Sequence, residues 1–218
     1  MSWKVHMRLA AVVFLFVCPI PCSAETLVYF GTYTEGDSAS KGIYVSELDE
    51  SSGALSEPLL AAKVGNPSFV AIHPRKQFLY AVSEFFSNDQ DSIGIIAFAI
   101  AEDGTLTKLN QRSTGGSGAC HVAVDPTGRC VGVANYGGGS CASFPILRDG
   151  SLGELGSFHQ HVGGSGVNPK RQQQPHAHSI NFNRDGTQAF VADLGKDQIL
   201  IYDVDPKAGT MTPSDQPF

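Results

Sequence analysis

The sequence predicts an all-β fold built as a β-propeller, in which small antiparallel sheets stack around a central axis. Three observations support this prediction. From Glu25 onward, short apolar runs alternate with Gly, Pro, Asn or Asp, and hardly any helical period is present. A strand–turn–strand pattern occurs three times, and a glycine-containing turn recurs at blade-length spacing. Repeats of this size are typical of propeller blades.

The glycine-containing turns supply the period. They read LDESSGAL, IAEDGTL, LRDGSL and VDPKAGTM, and their glycines are Gly53, Gly104, Gly150 and Gly209. These glycines lie 51, 46 and 59 residues apart. A period of about 50 residues fits four short strands, the content of one blade. A β-sandwich also has many short strands, but it would not explain markers that recur at this spacing.

The strand–turn–strand pattern is clearest at residues 174–197, and weaker copies occur at 73–84 and 125–136. Each copy has a short apolar strand, a turn with Pro, Gly or Asp, a second strand rich in β-branched and aromatic residues, and a polar end. One such sheet cannot bury both of its faces alone. We therefore expect the sheets to stack on one another.

In chain order, residues 26–33 and 42–48 are predicted strands separated by the polar loop 34–41, and a turn at 51–55 leads into a further short strand. The strands predicted after that are 68–72, 78–84, 93–100, 106–110, 121–124, 130–135, 141–146, 155–161, 179–183, 188–193, 198–204 and 211–212. They amount to one incomplete blade, two full blades at about 65–115 and 116–165, and most of another at about 172–218. Since propellers close with four to eight blades, we expect a propeller truncated to about three and a half blades. Either the sequence is a fragment, or two such halves must assemble, or the open end exposes strand edges that invite aggregation.

Residues 1–24 are predicted to be a secretory signal peptide rather than part of the fold. Lys4 and Arg8 provide a positive start, residues 9–17 are apolar, and Cys22-Ser23-Ala24 resembles a cleavage site. The apolar run is about half the length of a membrane span. Export to the periplasm or the extracellular space is therefore expected, in preference to an uncleaved anchor.

Charge and cysteine content narrow the function classes. The whole chain has a net charge of −6, and without residues 1–24 it keeps 13 basic and 21 acidic residues. Clustered Lys and Arg are absent, so no nucleic-acid surface is expected. Three cysteines remain in this part, Cys120, Cys130 and Cys141. Cys130 and Cys141 could face each other across a hairpin, or they could be small buried strand residues.

Four segments carry a resemblance to a known family. They read FGTYTEG, NPSFVAIHPRKQFLYAVSE, HVAVDPTGRCVGVANYGGGSCASFPI and NPKRQQQPHAHSINFNRDGTQAFVADLGKDQILIYD. In this order they resemble the seven-bladed β-propeller lactonases, which include bacterial 6-phosphogluconolactonases and fungal carboxymuconate-cyclising enzymes. The resemblance runs from Thr26 to about Thr212 and is most specific at residues 168–203. It implies a seven-bladed fold and lactone chemistry, either hydrolysis of a sugar lactone or, in the cyclase branch, ring closure.

The resemblance also implies site residues. Those that match the family's motifs are His121, Asn135, Tyr136, Arg171, His176, His178, Asp193 and Asp197. In complete members, later blades add an arginine–histidine motif and a glutamate to the central cleft. Those positions would lie beyond Phe218, so the residues that match make up only part of a site.

The residues themselves fit hydrolysis by activated water. His176 and His178 are two positions apart, so both imidazoles leave an extended chain on one face. Hydrolysis needs a base for water and a donor or cation for the oxyanion. We expect His178 to be the base, with Arg171 and His176 beside it in the catalytic group and Arg171 able to hold an anion. His121, Asn135, Tyr136 and Asp193 are expected to bind substrate. No G-x-S-x-G motif indicates a nucleophilic serine.

Structural interpretations compete with each assignment. A histidine at a strand start often only bonds neighbouring loops, and Asp193 and Asp197 often cap turns. His73, His159 and His161 are expected to be structural, and the glycines at 137–139 to join two strands rather than bind phosphate.

A metal site is the further alternative. His176, His178 and Asp193 could ligate zinc, whereas no cluster of Asp and Asn suggests a calcium loop. We expect no metal and no cofactor. The resemblance and these residues together predict a lactone hydrolase of the 6-phosphogluconolactonase type. The rival function is a non-catalytic or incomplete propeller that binds a carbohydrate or a protein.

Overall fold

The computed structural model describes residues 26–85 and 94–214, which form sixteen strands and no helix. Within these two ranges there is accordingly no helix long and apolar enough to cross a membrane. The predicted signal peptide, residues 1–24, lies outside the described residues. The strands are β1 Thr26–Phe30, β2 Gly42–Asp49, β3 Ala54–Leu55, β4 Leu59–Lys63, β5 Val70–Ile72, β6 Phe78–Val82, β7 Ile95–Ile100, β8 Leu106–Arg112, β9 Ala119–Val124, β10 Cys130–Asn135, β11 Ser140–Pro145, β12 Ser157–Gln160, β13 Ala177–Phe182, β14 Gln188–Asp193, β15 Gln198–Asp205 and β16 Thr210–Pro213.

The strands form four antiparallel sheets in chain order, which confirms the prediction of stacked blades. The second, third and fourth sheets are simple meanders, β5–β8, β9–β12 and β13–β16. The fourth sheet, predicted as most of a blade, therefore has all four strands. In the first sheet β1 pairs with one edge of β2, while β3 and β4 share the other edge. No described strand pairs with the outer edge of β1.

Apolar side chains between successive sheets hold the stack together. Ile43 and Phe98 belong to the cluster between the first and second sheets, Phe144 to the cluster between the second and third, and Met211 to the cluster between the third and fourth. Because both faces of the third sheet are covered, β10 is buried at all six positions. The first strands of neighbouring sheets lie side by side, β5 next to β9 and β9 next to β13.

The turn between the first two strands of a sheet also ties that sheet to its neighbour. The buried carboxylate of Asp125 accepts hydrogen bonds from the backbone amides of Thr127, Arg129 and Cys130 at 2.7–2.8 Å. Gly128 in this turn has a φ of +69°. Its carbonyl oxygen lies 2.9 Å from Nε2 of His73 in the second sheet. His73 is therefore structural.

Two predicted strands end at least two residues earlier than expected. β1 stops at Phe30 rather than residue 33, and β6 at Val82 rather than residue 84. The reason is that Asn66, which has a φ of 43°, forms hydrogen bonds with both chain segments in place of strand-to-strand hydrogen bonds. The backbone amide of Thr34 donates to its Oδ1 (2.9 Å), and the amide of Glu84 donates to its carbonyl oxygen (3.0 Å).

The cysteines of the described residues, Cys120, Cys130 and Cys141, form no disulfide. Cys130 lies opposite Pro145 and Cys141 opposite Ala134, at different ends of the β10–β11 hairpin. All three described cysteines are free thiols, and Cys130 and Cys141 are buried. The pairing considered from the sequence is thus wrong, because the hairpin register keeps the two thiols apart.

Candidate functional site

Polar and aromatic side chains converge at one edge of the stack. At this edge the second strands β6 and β10 end and the first strands β9 and β13 begin, so loops from all four sheets meet there. They enclose a cavity of about 310 Å³. Its lining residues are Tyr33, Ser68, Phe69, Glu84, Cys120, Tyr136 and His178.

A β-bulge aims His178 at this cavity. In the β13–β14 ladder Ala177 pairs with Asp193 and Ser179 with Ala192, so His178 is the unpaired extra residue. Cys120 is the extra residue of the corresponding bulge in the third sheet, between β9 and β10. Bulges of this kind redirect side chains near functional sites. The His178 side chain is exposed and reaches a second cavity as well.

Tyr136 is the side chain that brings the predicted residues together. The His176 ring stacks on it with centroids 4.5 Å apart, and the His178 ring meets it edge-on at 5.5 Å. Nδ1 of His176 is 2.9 Å from the Tyr136 carbonyl oxygen. Because a carbonyl only accepts, this nitrogen carries the proton. The guanidinium of Arg171 donates to the Tyr136 hydroxyl at 3.0 Å.

Arg171 opens onto the second cavity, of about 510 Å³, which it lines together with His178, Asp197 and Ile199. Gln172 fixes its loop: the buried side chain donates from Nε2 to the carbonyl of Leu194 (2.9 Å) and accepts from the amide of Asn168 (2.6 Å). His178 therefore stands between a cavity that contains a guanidinium together with carboxylates and a cavity lined by the carboxylate of Glu84.

His121 lies half-buried beside this group. Its ring packs on Phe69 with centroids 4.1 Å apart, and its Nδ1 accepts from the backbone amide of Ile180 at 3.3 Å. Burial, and then the charge of nearby His178, lower the pKa of His121. It is thus held in the neutral form and can accept a hydrogen bond.

Asn135 and Asp193, which were expected to bind substrate, are committed to hydrogen bonds within the protein, although Asp193 also lines the second cavity. Both are buried. Asn135 accepts from Thr114 (2.9 Å) and donates to Ser140 (3.1 Å). One oxygen of Asp193 lies 2.6 Å from Nδ1 of His161, and the other accepts the backbone amides of His176 and Lys196.

Electrostatics agree with a structural Asp193. Burial alone would raise its pKa, but the hydrogen bonds from His161, His176 and Lys196 outweigh it and lower the pKa of this carboxyl group. His161 also contacts the Tyr202 hydroxyl at 2.9 Å, and His159 contacts the carbonyl of Met211 at 2.8 Å. Both histidines join the third sheet to the fourth, as expected of structural residues.

Glu84 and Tyr33 are cavity residues that the sequence analysis did not single out. The side chain of Glu84 accepts from the Tyr33 hydroxyl at 2.9 Å and from the Ser68 hydroxyl, both at Oε2. Both residues stood inside segments that resemble the family, FGTYTEG and YAVSE, but each is a single polar residue at a strand end. Only the stacking of the first sheet on the second brings them together.

The Cys120 thiol is not a nucleophile. Burial, with a smaller contribution from the charge of Glu84, raises its pKa to about 12. Its Sγ faces backbone carbonyls, among them that of His178 at 3.5 Å. A protonated thiol is a poor attacking group at neutral pH.

The zinc alternative finds no support in the arrangement of its three candidate ligands. The Asp193 carboxylate is occupied by His161 and backbone amides, and Nδ1 of His176 by a carbonyl. Across residues 26–85 and 94–214, no group of three or more His, Cys, Asp or Glu side chains could hold a metal ion.

Comparisons with known proteins identify the relatives of this chain. Residues 27–217 match the family model described as lactonase, 7-bladed beta-propeller. The 6-phosphogluconolactonase of Bacillus subtilis is 40% identical over 187 residues, which are 85% of this chain and 51% of that protein. The 6-phosphogluconolactonase of Formosa agariphila is 29% identical over 178 residues, 81% of this chain and 49% of that protein. The chain thus spans about half the length of these curated relatives.

Solved structures give the same picture. A Bacteroides fragilis protein superposes with a TM-score of 0.78 and 34% identity, over 89% of this chain and 54% of that one. The periplasmic gluconolactonase of Pseudomonas aeruginosa superposes with a TM-score of 0.73 and 30% identity, over 86% of this chain and 55% of that one.

Proposed function

The chain belongs to the family of seven-bladed β-propeller lactonases, and on that premise we propose that it hydrolyses a sugar lactone with His178 as the base. The observation that carries this proposal is the position of His178: an exposed imidazole at a β-bulge that lines two cavities, one of them shared with Arg171. Tyr136 holds it next to His176 and Arg171. The names of the relatives support the reaction class.

In the proposed reaction, the His178 imidazole accepts a proton from water as the water oxygen attacks the lactone carbonyl carbon. The carbonyl electron pair moves to oxygen and gives a tetrahedral oxyanion. When the carbonyl re-forms, the ring C–O bond breaks, and the departing alkoxide takes the proton from the imidazolium. The product is a hydroxy acid, and His178 returns to its neutral form.

Arg171 and His176 assist this step in different ways. The guanidinium of Arg171 faces the cavity that His178 shares, so it can stabilise the oxyanion or hold an anionic group of the substrate. His176 has a positioning role. Its ring stacks on Tyr136 and its Nδ1 proton is donated to the Tyr136 carbonyl, so it holds the tyrosine in place. Because Nδ1 of neutral His121 accepts the Ile180 amide, Nε2 carries the proton and is a candidate donor to a substrate oxygen.

The substrate that we propose is an unphosphorylated sugar lactone. A phosphorylated gluconolactone is an intracellular metabolite, whereas the first 24 residues are expected to direct export. One superposing structure is named a periplasmic gluconolactonase. Comparison of kcat/KM for glucono-δ-lactone and its 6-phosphate tests this choice.

The reaction is tested by following acid release from sugar lactones with the purified, β-rich protein, with and without a chelator. We expect His178→Ala to lower kcat by roughly two to four orders of magnitude, the usual effect of losing an acid–base group. His159→Gln, which keeps a hydrogen-bond donor at a structural histidine, is the matched control and should leave kcat unchanged.

Unchanged turnover in folded His178→Ala would remove this residue from the mechanism. Binding of a sugar lactone without turnover by the wild-type protein would instead favour the rival function, a propeller that binds a carbohydrate. Light scattering in the same samples reports whether two chains assemble.

A further inference from the structure

Glu84 is a buried acidic residue of the described chain, like Asp125 and Asp193, but unlike them it lines the cavity of about 310 Å³. It is only 7% exposed, yet neither ion pair formed within residues 26–85 and 94–214 includes it. A buried carboxylate without a cation must be satisfied by hydrogen-bond donors. Tyr33 and Ser68 both donate to the same oxygen, Oε2, so the charge is satisfied on one side.

The surrounding backbone fixes Glu84 in place. Its amide donates to the carbonyl of Asn66 (3.0 Å), and Nδ2 of Asn66 donates to the carbonyl of Glu84 (3.2 Å). The neighbouring Ser83 hydroxyl donates to the carbonyl of Gly65 at 2.9 Å. An acceptor held on both sides in this way is preorganised for a ligand that brings donors.

Aromatic rings flank the carboxylate. Phe69 is 41% exposed and Tyr33 is 59% exposed, and Tyr136 completes the wall on the side of His178. Flat apolar surfaces next to a fixed acceptor suit a ligand with C–H faces and hydroxyl edges, the features of a sugar ring. Burial and the hydrogen bond to Glu84 also raise the pKa of Tyr33, so it remains a hydroxyl donor.

The two cavities that meet at His178 differ in their charged side chains. Glu84 is the acidic residue that lines the smaller cavity, whereas Arg171 lines the larger one, together with Asp193 and Asp197. The guanidinium offers hydrogen-bond donors and the Glu84 carboxylate offers acceptors. A lactone bound at His178 is therefore oriented, with its carbonyl end towards Arg171 and its hydroxylated carbons towards Glu84.

We propose that Glu84 is the specificity-determining residue of this site: its carboxylate accepts hydrogen bonds from the ring hydroxyls of the lactone and selects hydroxylated over plain lactones. This inference rests on the proposed lactone hydrolysis. Hydrolysis by itself requires neither Glu84 nor a preference for hydroxylated lactones, and the inference adds both.

The test compares Glu84→Gln with wild type on glucono-δ-lactone and on δ-valerolactone, which has the same ring without hydroxyls. We expect the KM for glucono-δ-lactone to rise about tenfold to a hundredfold, because the charged acceptor is lost. The kcat/KM for δ-valerolactone should stay within about twofold. Glu154→Gln, the same charge change at an exposed residue paired with Arg112, should alter neither value.

A second measurement separates this inference from the reaction. Calorimetric titration with 1,5-anhydroglucitol, a non-hydrolysable sugar ring, should show at least about tenfold weaker binding to Glu84→Gln than to wild type. Loss of polyol binding in Glu84→Gln, together with no lactone turnover in wild type, would reject the proposed function and retain the role of Glu84.

Equal effects of Glu84→Gln on both lactones, or equal polyol affinity of variant and wild type, would overturn the inference while leaving the hydrolysis intact. Should circular dichroism show that Glu84→Gln does not fold, Glu84→Asp takes its place. This variant withdraws the charge by one methylene, and the same selective rise in KM is required of it.

Discussion

The candidate site owes its geometry to individual residues that each hold another in place. Tyr136 carries contacts with Arg171, His176 and His178, so a change in this one ring would disturb three predicted site residues at once. Asp193, although buried, fixes the backbone amide of His176. At this scale the site is a network of positioned side chains rather than a set of independent ligands.

His121 provides a test of how close the histidines are. Burial is the larger cause of its low pKa and the charge of His178 the smaller. We therefore expect an NMR titration midpoint for His121 below the ordinary value of about 6.5. In His178→Ala the midpoint should rise but remain below that value, because burial persists.

His176→Ala is the control, and it should leave the His121 midpoint in place. A midpoint unaffected by His178→Ala would show that the two rings do not interact.

The lowered pKa of His121 also affects stability, because the unfolded chain binds this proton more readily than the folded chain does. Protonation of His121 therefore lowers the free energy of unfolding as the pH falls below about 6.5.

Residue types and local spacing predicted part of the site. The H-x-H motif at His176 and His178, the preceding Arg171 and the strand-end Tyr136 are all visible along the sequence, and the structure brings them together. The bulge that aims His178 is not visible, because it depends on the register between β13 and β14. Glu84 and Tyr33 were missed because they come from different sheets and meet only after stacking.

At the scale of single elements, the turns explain why the sheets keep their positions. The turns after β5, β9 and β13 begin with His73, Asp125 and Asn183, and each uses its own side chain to bind amides that follow. The sequence predicted these turns from Pro, Gly and Asp. It did not predict that the turn of the third sheet would contact His73 of the second.

Gly128 allows this contact to be measured. A Cβ at this position would overlap Nε2 of His73, and the backbone is left-handed. We expect Gly128→Ala to lower the free energy of unfolding by about 2–4 kcal/mol, from backbone strain and overpacking together. Urea denaturation provides the measurement.

Gly53→Ala is the matched control. Gly53 has a φ of +75°, but a Cβ there meets nothing within 4 Å. The free energy of unfolding should fall by only about 1 kcal/mol in this variant, the cost of placing an alanine in a left-handed backbone conformation. Equal losses in the two variants would mean that the turn does not press on His73.

Strand boundaries were less predictable than strand existence. The predicted strand 26–33 continues past the point where β1 ends, because Thr32 and Tyr33 are residue types that favour strands. What ends the strand is a tertiary contact, the hydrogen bonding of Thr34 with Asn66. The sequence likewise did not predict the bounds of the outer strand of the first sheet, because two separate strands, β3 and β4, share one edge of β2.

At the scale of the whole molecule, the fold is a linear stack in which each sheet contacts its neighbours. The repeat period made this architecture predictable, because a regular marker spacing requires equivalent units. The periodicity could not show that the units share one site at their edge. That follows from the alignment of β5, β9 and β13 beside one another.

The stack predicts an uneven distribution of local stability. β10 lies within a sheet that is covered on both faces, whereas no described strand pairs with the outer edge of β1. We expect amides of β10 to exchange with deuterium at least about a hundredfold more slowly than those on the outer edge of β1. Hydrogen exchange followed by NMR resolves the two groups, and equal protection would contradict an open edge.

The division of the cavity between sheets has a consequence for how such a chain can change over generations. Tyr33, Ser68 and Glu84 are encoded within the first 84 codons, and Tyr136, Arg171 and His178 only from codon 136 onward. A recombination event between these two blocks would exchange Tyr33, Ser68 and Glu84 as a unit and leave the proposed base and the guanidinium untouched. New sugar preferences could then be acquired from a related gene in a single crossover, without rebuilding the chemistry.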